Sequence, residues 1–213
     1  MSRSFDLSVY LVTDTELAGP RGVVETVRQA MAGGVTLVQL RDPHAGTRNL
    51  VETAAALLEV LRPLDVPLII NDRVDVALAV GAEGVHVGQS DMPTDKVRAL
   101  IGPDRILGLS TSTFAQMEGD DLGPVDYLGI GPVFATPTKT NASTPIGFDG
   151  LAAMVAKSSL PVVAIGGLKP EHVEPTLAAG ADGLAIVSAI MAAEDPARAA
   201  RDFADRVARF RSQ

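Results

Sequence analysis

The sequence predicts an α/β fold, and within that class a closed (β/α)8 barrel, from three observations. Eight short runs of β-branched and aliphatic residues recur along the chain, with segments of helical spacing between them. None of the runs alternates strictly between apolar and polar residues, which indicates strands buried on both faces. The 213 residues suffice for eight strand–helix units with few insertions. We therefore expect a single TIM-barrel domain over residues 1–213, with a doubly wound open sheet as the alternative.

Each predicted element has its own signal in the sequence. Apolar residues at steps of three and four predict helices through Val23–Met31 and Leu50–Leu61. Glycine after several helices suits the left-handed position that ends a helix before a short turn. The predicted strands are Val9–Thr13, Thr36–Leu40, Leu68–Asn71, Gly84–Gly88, Ile106–Ser110, Tyr127–Gly131, Val162–Gly166 and Leu184–Val187. Further helices are predicted over Thr94–Leu100 with Thr94 as cap, Pro170–Ala179, and Pro196–Phe210 with Asp195 as cap.

Composition excludes several classes of function. Lys and Arg total 18 against 26 Asp and Glu, a net charge of −8 that argues against nucleic-acid and anionic-membrane binding. The absence of cysteine excludes disulfides and thiolate metal sites, and three histidines disfavour a histidine zinc site. No stretch has the length and apolarity of a membrane span, and the first residues lack the apolar core of a signal peptide. We expect a cytoplasmic protein, and the sequence leaves a homo-oligomer open.

Polar residues follow each predicted strand, where a barrel places its catalytic groups. Gln39 and Arg41 are two apart and share a face, which in a barrel is the interior. A buried arginine needs an anionic partner, either a strand-end aspartate or a ligand, and both readings stay open. His86, in the middle of a strand, is interpreted as a core residue with its hydrogen bonds satisfied rather than as a catalytic base.

Asp72 and Asp91 end consecutive predicted strands, so we expect them to lie close together at the mouth. Two carboxylates without histidine or cysteine suit a hard cation such as Mg²⁺, which also binds phosphate oxygens. The structural alternatives are a helix cap for Asp72 and a turn residue for Asp91.

Two further regions suit phosphate. The segment 134–144 is rich in hydroxyl groups and contains Lys139, although it could equally be a solvated loop. Gly166-Gly167 and Val187-Ser188 follow the last two strands, where backbone N–H groups of a barrel converge on phosphate, with tight turns as the alternative.

These residues, in this order, resemble the thiamine-phosphate synthase (thiamine-phosphate pyrophosphorylase) family over nearly the whole chain. The segments that carry the resemblance are Val38-Gln39-Leu40-Arg41, Ile70-Asn71-Asp72-Arg73, the run from Gly84 to Asp91, and the run from Gly131 to Lys139. The family joins a pyrimidine methyl diphosphate to a thiazole phosphate and releases diphosphate.

The resemblance implies roles for matching positions. Arg41, Lys139 and Ser110 would be the catalytic residues in a dissociative reaction that needs no protein base. The pyrimidine diphosphate would contact Gln39, Arg41, Asn71, Ser110 and Lys139; Mg²⁺ would bind Asp72 and Asp91; and the thiazole phosphate would contact Thr136, Thr138, Gly167, Val187 and Ser188. The partners are therefore small molecules.

Three other functions stay open beside the synthase. One is a thiazole tautomerase-like isomerase, which needs neither diphosphate nor metal; Asp72, Asp91 and Lys139 argue against it. Another is a sugar-phosphate isomerase, for which no clear acid–base pair is found. The third is a non-catalytic barrel that binds thiamine precursors.

The sequence departs from the family pattern at one position. The family usually has lysine two residues after the arginine, where this chain has Pro43 followed by His44. We expect Pro43→Lys to tighten diphosphate binding or leave it unchanged, because the change adds a cation. The KM for the pyrimidine substrate measures this, and a clearly higher KM in the variant would contradict the loss of a cation.

Overall fold

The structure, a computed structural model, describes residues 5–118, 122–136 and 144–213. Its eight strands lie within one or two residues of the predicted runs. They are β1 (Val9–Val12), β2 (Leu37–Leu40), β3 (Leu68–Asn71), β4 (Gly84–Val87), β5 (Ile106–Thr111), β6 (Tyr127–Ile130), β7 (Val162–Ile165) and β8 (Gly183–Ile186).

Helices connect most of the strands. The α-helices of the described residues are α1 (Thr15–Ala18), α2 (Val23–Met31), α3 (Thr47–Leu61), α4 (Val74–Val80), α5 (Thr94–Ile101), α6 (Gly147–Val155), α7 (Val173–Ala178), α8 (Ser188–Met191) and α9 (Pro196–Arg211). Short 3₁₀ helices span Gly19–Arg21, Arg62–Leu64, Phe114–Met117 and Pro170–His172. The Asp195 side chain caps α9 as predicted, by accepting a hydrogen bond from the Arg198 N–H.

The expectation of an α-helix after every strand is wrong between β5 and β6. The described part of that connection contains the 3₁₀ helix Phe114–Met117 and then a turn through Gly123-Pro124, two residues that disfavour a helix interior. Thr94 is likewise not a cap: Pro93 occupies the cap position, and Thr94 is the first residue of α5.

Parallel pairing joins each strand to the next, and β8 pairs with β1, so the sheet closes. This closure confirms the predicted (β/α)8 barrel and excludes the open sheet. Because all strands run in one direction, their carboxyl ends meet at a single mouth. At the opposite end of the barrel, the left-handed backbone of Gly81 (φ 67°) ends α4, and Gly34 (φ 96°) lies in the turn after α2.

Alternation along the strands divides the apolar core into two layers. One set of side chains packs between the sheet and the helices, and includes Val38, Leu40 and Ile70. The other set points into the barrel and includes Tyr10, Ile69 and Tyr127. Alternate residues of each strand therefore face the helices, and the residues between them face the interior. The inward-facing residues nearest the strand ends line the mouth.

Glycines in the wall make room for the large interior side chains. A Cβ atom added to Gly108 would overlap the rings of Tyr127 and His86. At Gly129 the same atom would lie 3.2 Å from His86 Cε1. Without these glycines the interior could not hold a tyrosine and a histidine side by side.

We predict that Gly108→Ala destabilises the protein by about 1–3 kcal/mol, because the new methyl group must displace two buried rings that have no free space. Urea unfolding measures the loss. Gly129→Ala serves as the matched control, since its methyl group meets only one ring edge and should cost less than half as much. Equal losses in both variants would contradict this account of the interior.

Candidate active site

The inner wall of the mouth has a polar half. The inward-facing residues at the upper ends of four consecutive strands, β2 to β5, are Gln39, Asn71, His86 and Ser110. On the other side, Val12, Ile165 and Val187 belong to the apolar interior cluster. A ligand in the mouth would therefore meet hydrogen-bonding groups on one side and an apolar surface on the other.

A chain of five hydrogen-bonded side chains crosses the interior below the mouth. Gln39 Nε2 donates to Tyr10 Oη at 2.7 Å, and Tyr10 Oη lies 2.8 Å from Tyr127 Oη. Tyr127 Oη lies 2.8 Å from His86 Nδ1, and His86 Nε2 lies 2.8 Å from Ser110 Oγ. Two residues predicted to bind substrate, Gln39 and Ser110, are thus the ends of one buried network.

Sequence reasoning missed the tyrosines of this network. His86 is the satisfied core residue that was expected, with both ring nitrogens hydrogen-bonded. Tyr10 and Tyr127 are the only tyrosines in the sequence. The alternation of side chains along a strand could have identified them, because both tyrosines occupy inward-facing positions of their strands, as Gln39 and Ser110 do.

Burial keeps both tyrosines protonated. It raises the pKa of Tyr10 and of Tyr127 above the ordinary value, because the interior disfavours a phenolate. Each phenol is therefore a hydroxyl with one proton to donate at neutral pH.

The structure brings Asp72 and Asp91 together. The Asp91 carboxyl lies close enough to act on the pKa of Asp72, and Asn71 Nδ2 donates to Asp72 Oδ2 at 2.7 Å. Asp72 has a left-handed backbone (φ 58°) directly after β3, and Arg73 rather than Asp72 precedes α4 as its cap residue. Asp91 also has the turn role considered above, since its Oδ2 accepts from the Gly88 N–H at 2.7 Å.

Proximity of the two carboxyls changes the acidity of Asp72. Partial burial and the neighbouring Asp91 raise the pKa of Asp72 to about 6, while the positive charge of Arg41 and the Asn71 amide act in the opposite direction. The pair resists carrying two negative charges, and a cation or a shared proton would relieve that repulsion.

Arg41 is placed differently from the expectation of a buried interior residue. It follows the end of β2 and is partly exposed. The Thr13 side chain fixes its backbone by accepting from the Arg41 N–H at 3.0 Å. Within the described ranges Arg41 forms no ion pair, so its guanidinium remains available to an anion. Its positive charge lowers the pKa of Asp72, which places this available cation near the carboxyl pair.

The loops after β6 and β7 also meet at the mouth, and the loop after β8 follows the next strand of the barrel. The Phe134 N–H donates to the Gly166 carbonyl at 3.0 Å, and a Cβ atom on Gly167 would clash with Phe134. Val187 precedes the short helix α8, which Ser188 begins, and Ser188 is exposed. Thr136 is partly buried in the first of these loops, whereas Thr138 and Lys139 lie outside the described residues.

The residues at the carboxyl pair fit a hard divalent cation. Asp72 and Asp91 supply oxygen ligands, the type that Mg²⁺ prefers. Across the described residues no third histidine, cysteine, aspartate or glutamate joins them. A cation held there would complete its coordination with water or with oxygens of an anionic ligand.

Comparison with known proteins decides the family. The family model described as thiamine monophosphate synthase matches residues 9–190. The chain belongs to the thiamine monophosphate synthase family. As a member of this family the protein is an enzyme of the transferase class.

Similar curated proteins include the thiamine-phosphate synthase of Azorhizobium caulinodans, 56% identical over 94% of this chain and 95% of that protein. The thiamine-phosphate synthase of Vibrio campbellii is 52% identical over 88% and 92% of the two chains. Among solved structures, the thiamine phosphate pyrophosphorylase from Pyrococcus furiosus superposes with a TM-score of 0.86 at 38% identity, covering 96% of each chain.

More distant barrels share the fold alone. A 3-hexulose-6-phosphate synthase superposes with a TM-score of 0.67 at 17% identity.

Across the described residues, every helix is too short or too polar to traverse a lipid bilayer.

We predict that Asp72→Asn stabilises the protein at neutral pH in the absence of divalent cations. The folded-state pKa of Asp72, about 6, lies above that of an unfolded carboxyl, so the folded protein binds this proton more tightly. The contribution of this group to stability is complete at acidic pH and is lost as the pH rises through 6. Asparagine also tolerates the left-handed backbone.

The measurement is the difference in melting temperature between variant and wild type, which should grow from about pH 4.5 to about pH 7.5. Asp75→Asn is the control of opposite sign, because hydrogen bonding to Arg73 lowers the pKa of Asp75. Relative to wild type, that variant should lose stability as the pH rises through the acidic range below about 4.5, and its difference should then stay constant up to about pH 7.5. A difference for Asp72→Asn that is constant with pH would contradict the carboxyl pair.

Proposed function

We propose that the protein condenses 4-amino-2-methyl-5-hydroxymethylpyrimidine diphosphate with hydroxyethylthiazole phosphate to give thiamine phosphate and diphosphate. The observation that carries this proposal is the paired Asp72 and Asp91 carboxyls with Arg41 beside them at the mouth, in a chain of this family. These groups suit a diphosphate: an arginine that can bind its oxygens, and acids that can hold the cation such a ligand brings.

We assign the residues of the polar half to the pyrimidine diphosphate. Gln39, Asn71 and Ser110 are inward-facing on adjacent strands and offer amide and hydroxyl groups to a heterocycle. Arg41 binds the diphosphate, and Lys139, outside the described residues, is proposed to do so as well. Asp72 and Asp91 would hold Mg²⁺, which supplies positive charge to the departing diphosphate.

The loops after β6, β7 and β8 are assigned to the thiazole phosphate. Backbone groups of Gly167, Val187 and Ser188, with the hydroxyls of Thr136 and Thr138, would receive the phosphate. The close contact between Gly167 and Phe134 supports the assignment, because it fixes two of these loops against each other.

The proposed reaction is a dissociative substitution. The bond between the pyrimidine methyl carbon and the diphosphate oxygen breaks, and both electrons leave with the diphosphate, whose charge Arg41 stabilises. The thiazole nitrogen then donates its lone pair to the resulting carbocation and forms the new C–N bond. No proton is transferred, so no protein base is required. The buried hydrogen bonds of both His86 nitrogens agree with this.

We expect purified protein to release diphosphate only when both substrates and Mg²⁺ are present, measured by a coupled diphosphate assay. Asp91→Ala should reduce the rate by at least about a hundredfold, as expected when a group that organises the leaving-group charge is removed. Asp95→Ala, an exposed acid in the first turn of α5, is the matched control and should leave the rate unchanged.

Each of the other outcomes identifies a different function. Conversion of a thiazole phosphate alone, without metal, would indicate the tautomerase-like isomerase. Binding of both substrates without turnover would indicate a non-catalytic thiamine-precursor barrel. An unchanged rate for Asp91→Ala would overturn the assignment of that residue as a metal ligand.

A further inference from the structure

In the network of five hydrogen-bonded side chains in the barrel interior, each group donates to the next in one consistent order. Gln39 Nε2 donates to Tyr10 Oη, so the single hydroxyl proton of Tyr10 is left for Tyr127 Oη, its other partner within the described residues. With the Gln39 amide in this orientation, any other arrangement would leave a buried hydroxyl proton without an acceptor, at a cost of about 1–3 kcal/mol.

The same reasoning continues to the end of the network. Tyr127 Oη accepts from Tyr10 and must donate to His86 Nδ1. His86 therefore carries its proton on Nε2 and donates it to Ser110 Oγ. The order of donors runs in one direction from Gln39 to Ser110, and both ends lie at the mouth.

This order determines which atoms face a ligand. Within the described ranges Gln39 Oε1 and the Ser110 hydroxyl proton have no other partner. Gln39 then presents a hydrogen-bond acceptor, and Ser110 presents a donor. Rotation of the Gln39 amide by 180° would require all five groups to reverse together, because each hydroxyl has one proton and the imidazole would need its other tautomer.

We infer that Tyr10, Tyr127 and His86 are positioning residues for substrate selection: through one directional chain of hydrogen bonds they hold Gln39 as an acceptor and Ser110 as a donor. The inference rests on the proposed function, in which these two residues contact the pyrimidine. An exocyclic amine then faces the Gln39 carbonyl, and a ring nitrogen or phosphate oxygen faces the Ser110 hydroxyl. An oxo group in place of the amine would oppose the Gln39 carbonyl and oblige the whole chain to reverse.

Further features of the structure support this assignment. Gly108 and Gly129 provide the space in which His86 and Tyr127 lie. The rings of His86 and Tyr127 also contact each other, with centroids 5.4 Å apart, and the Tyr10 ring meets the Tyr127 ring edge-on at 6.0 Å. Packing therefore fixes the rings, so the protons are the part of the network that can rearrange.

The direct test is the tautomer of His86. Long-range ¹H–¹⁵N spectra of the wild-type protein labelled on histidine contain only three imidazoles, those of His44, His86 and His172. His86→Asn assigns the resonance. The expected result is a neutral ring protonated on Nε2. Protonation on Nδ1, or an even mixture of tautomers, would overturn the inferred direction. This reading does not depend on whether the protein makes thiamine phosphate.

The second test is selectivity between the aminopyrimidine diphosphate and its 4-oxo analogue. Tyr127→Phe removes the central hydroxyl, so Gln39 can turn its amide without reversing Ser110. We expect the ratio of the two dissociation constants to fall by about tenfold, the equivalent of one unsatisfied buried hydrogen bond. The tautomer of His86 should shift in the same variant.

Thr176→Val is the matched control, because it removes a buried hydroxyl that has no hydrogen-bond partner among the described residues and lies outside the network. It should leave both readouts unchanged. If Tyr127→Phe does not fold, Tyr10→Phe interrupts the same chain one residue earlier. A folded variant that keeps the wild-type selectivity and the wild-type tautomer would overturn the inference. Wild-type protein that binds neither pyrimidine but shows the Nε2 tautomer would instead count against the proposed function.

Discussion

Pairing between β1 and β8 is the constraint on which the other features depend. Closure gives the sheet a single interior, so residues of one parity on all eight strands must share that space. It also brings eight strand ends to one rim, which places Asp72 beside Asp91 and the loops after β6 and β7 against each other. In an open sheet, the network from Gln39 to Ser110 could not cross from wall to wall.

Much of the fold could be predicted because each strand is a short apolar segment followed by polar residues. Ends such as Val12 and Ile165 differ from prediction by one residue, since the last residue of a run leaves the sheet to begin the loop. The prediction of an α-helix between β5 and β6 was wrong for a physical reason. Spacing of apolar residues cannot show that Gly123-Pro124 will prevent a helix there.

The site was predictable where it follows from strand order. Asp72 and Asp91 lie in the segments that follow neighbouring strands, so their proximity needed only the barrel hypothesis. The interior network needed the register as well. Tyr10 and Tyr127 are separated by 117 positions in the chain, and only pairing across the closed barrel brings their hydroxyl groups within 2.8 Å. A tyrosine in a strand is, by composition alone, another buried aromatic residue.

The space provided by Gly108 has a consequence for how such a sequence can change over time. Any side chain gained at this position removes the room for Tyr127 or His86, and loss of either ring leaves a cavity beside a bare glycine. Single steps away from the present combination therefore pass through a damaged intermediate. The three positions therefore constrain one another, and the hydrogen bond between Tyr127 and His86 depends on the packing of the wall behind it.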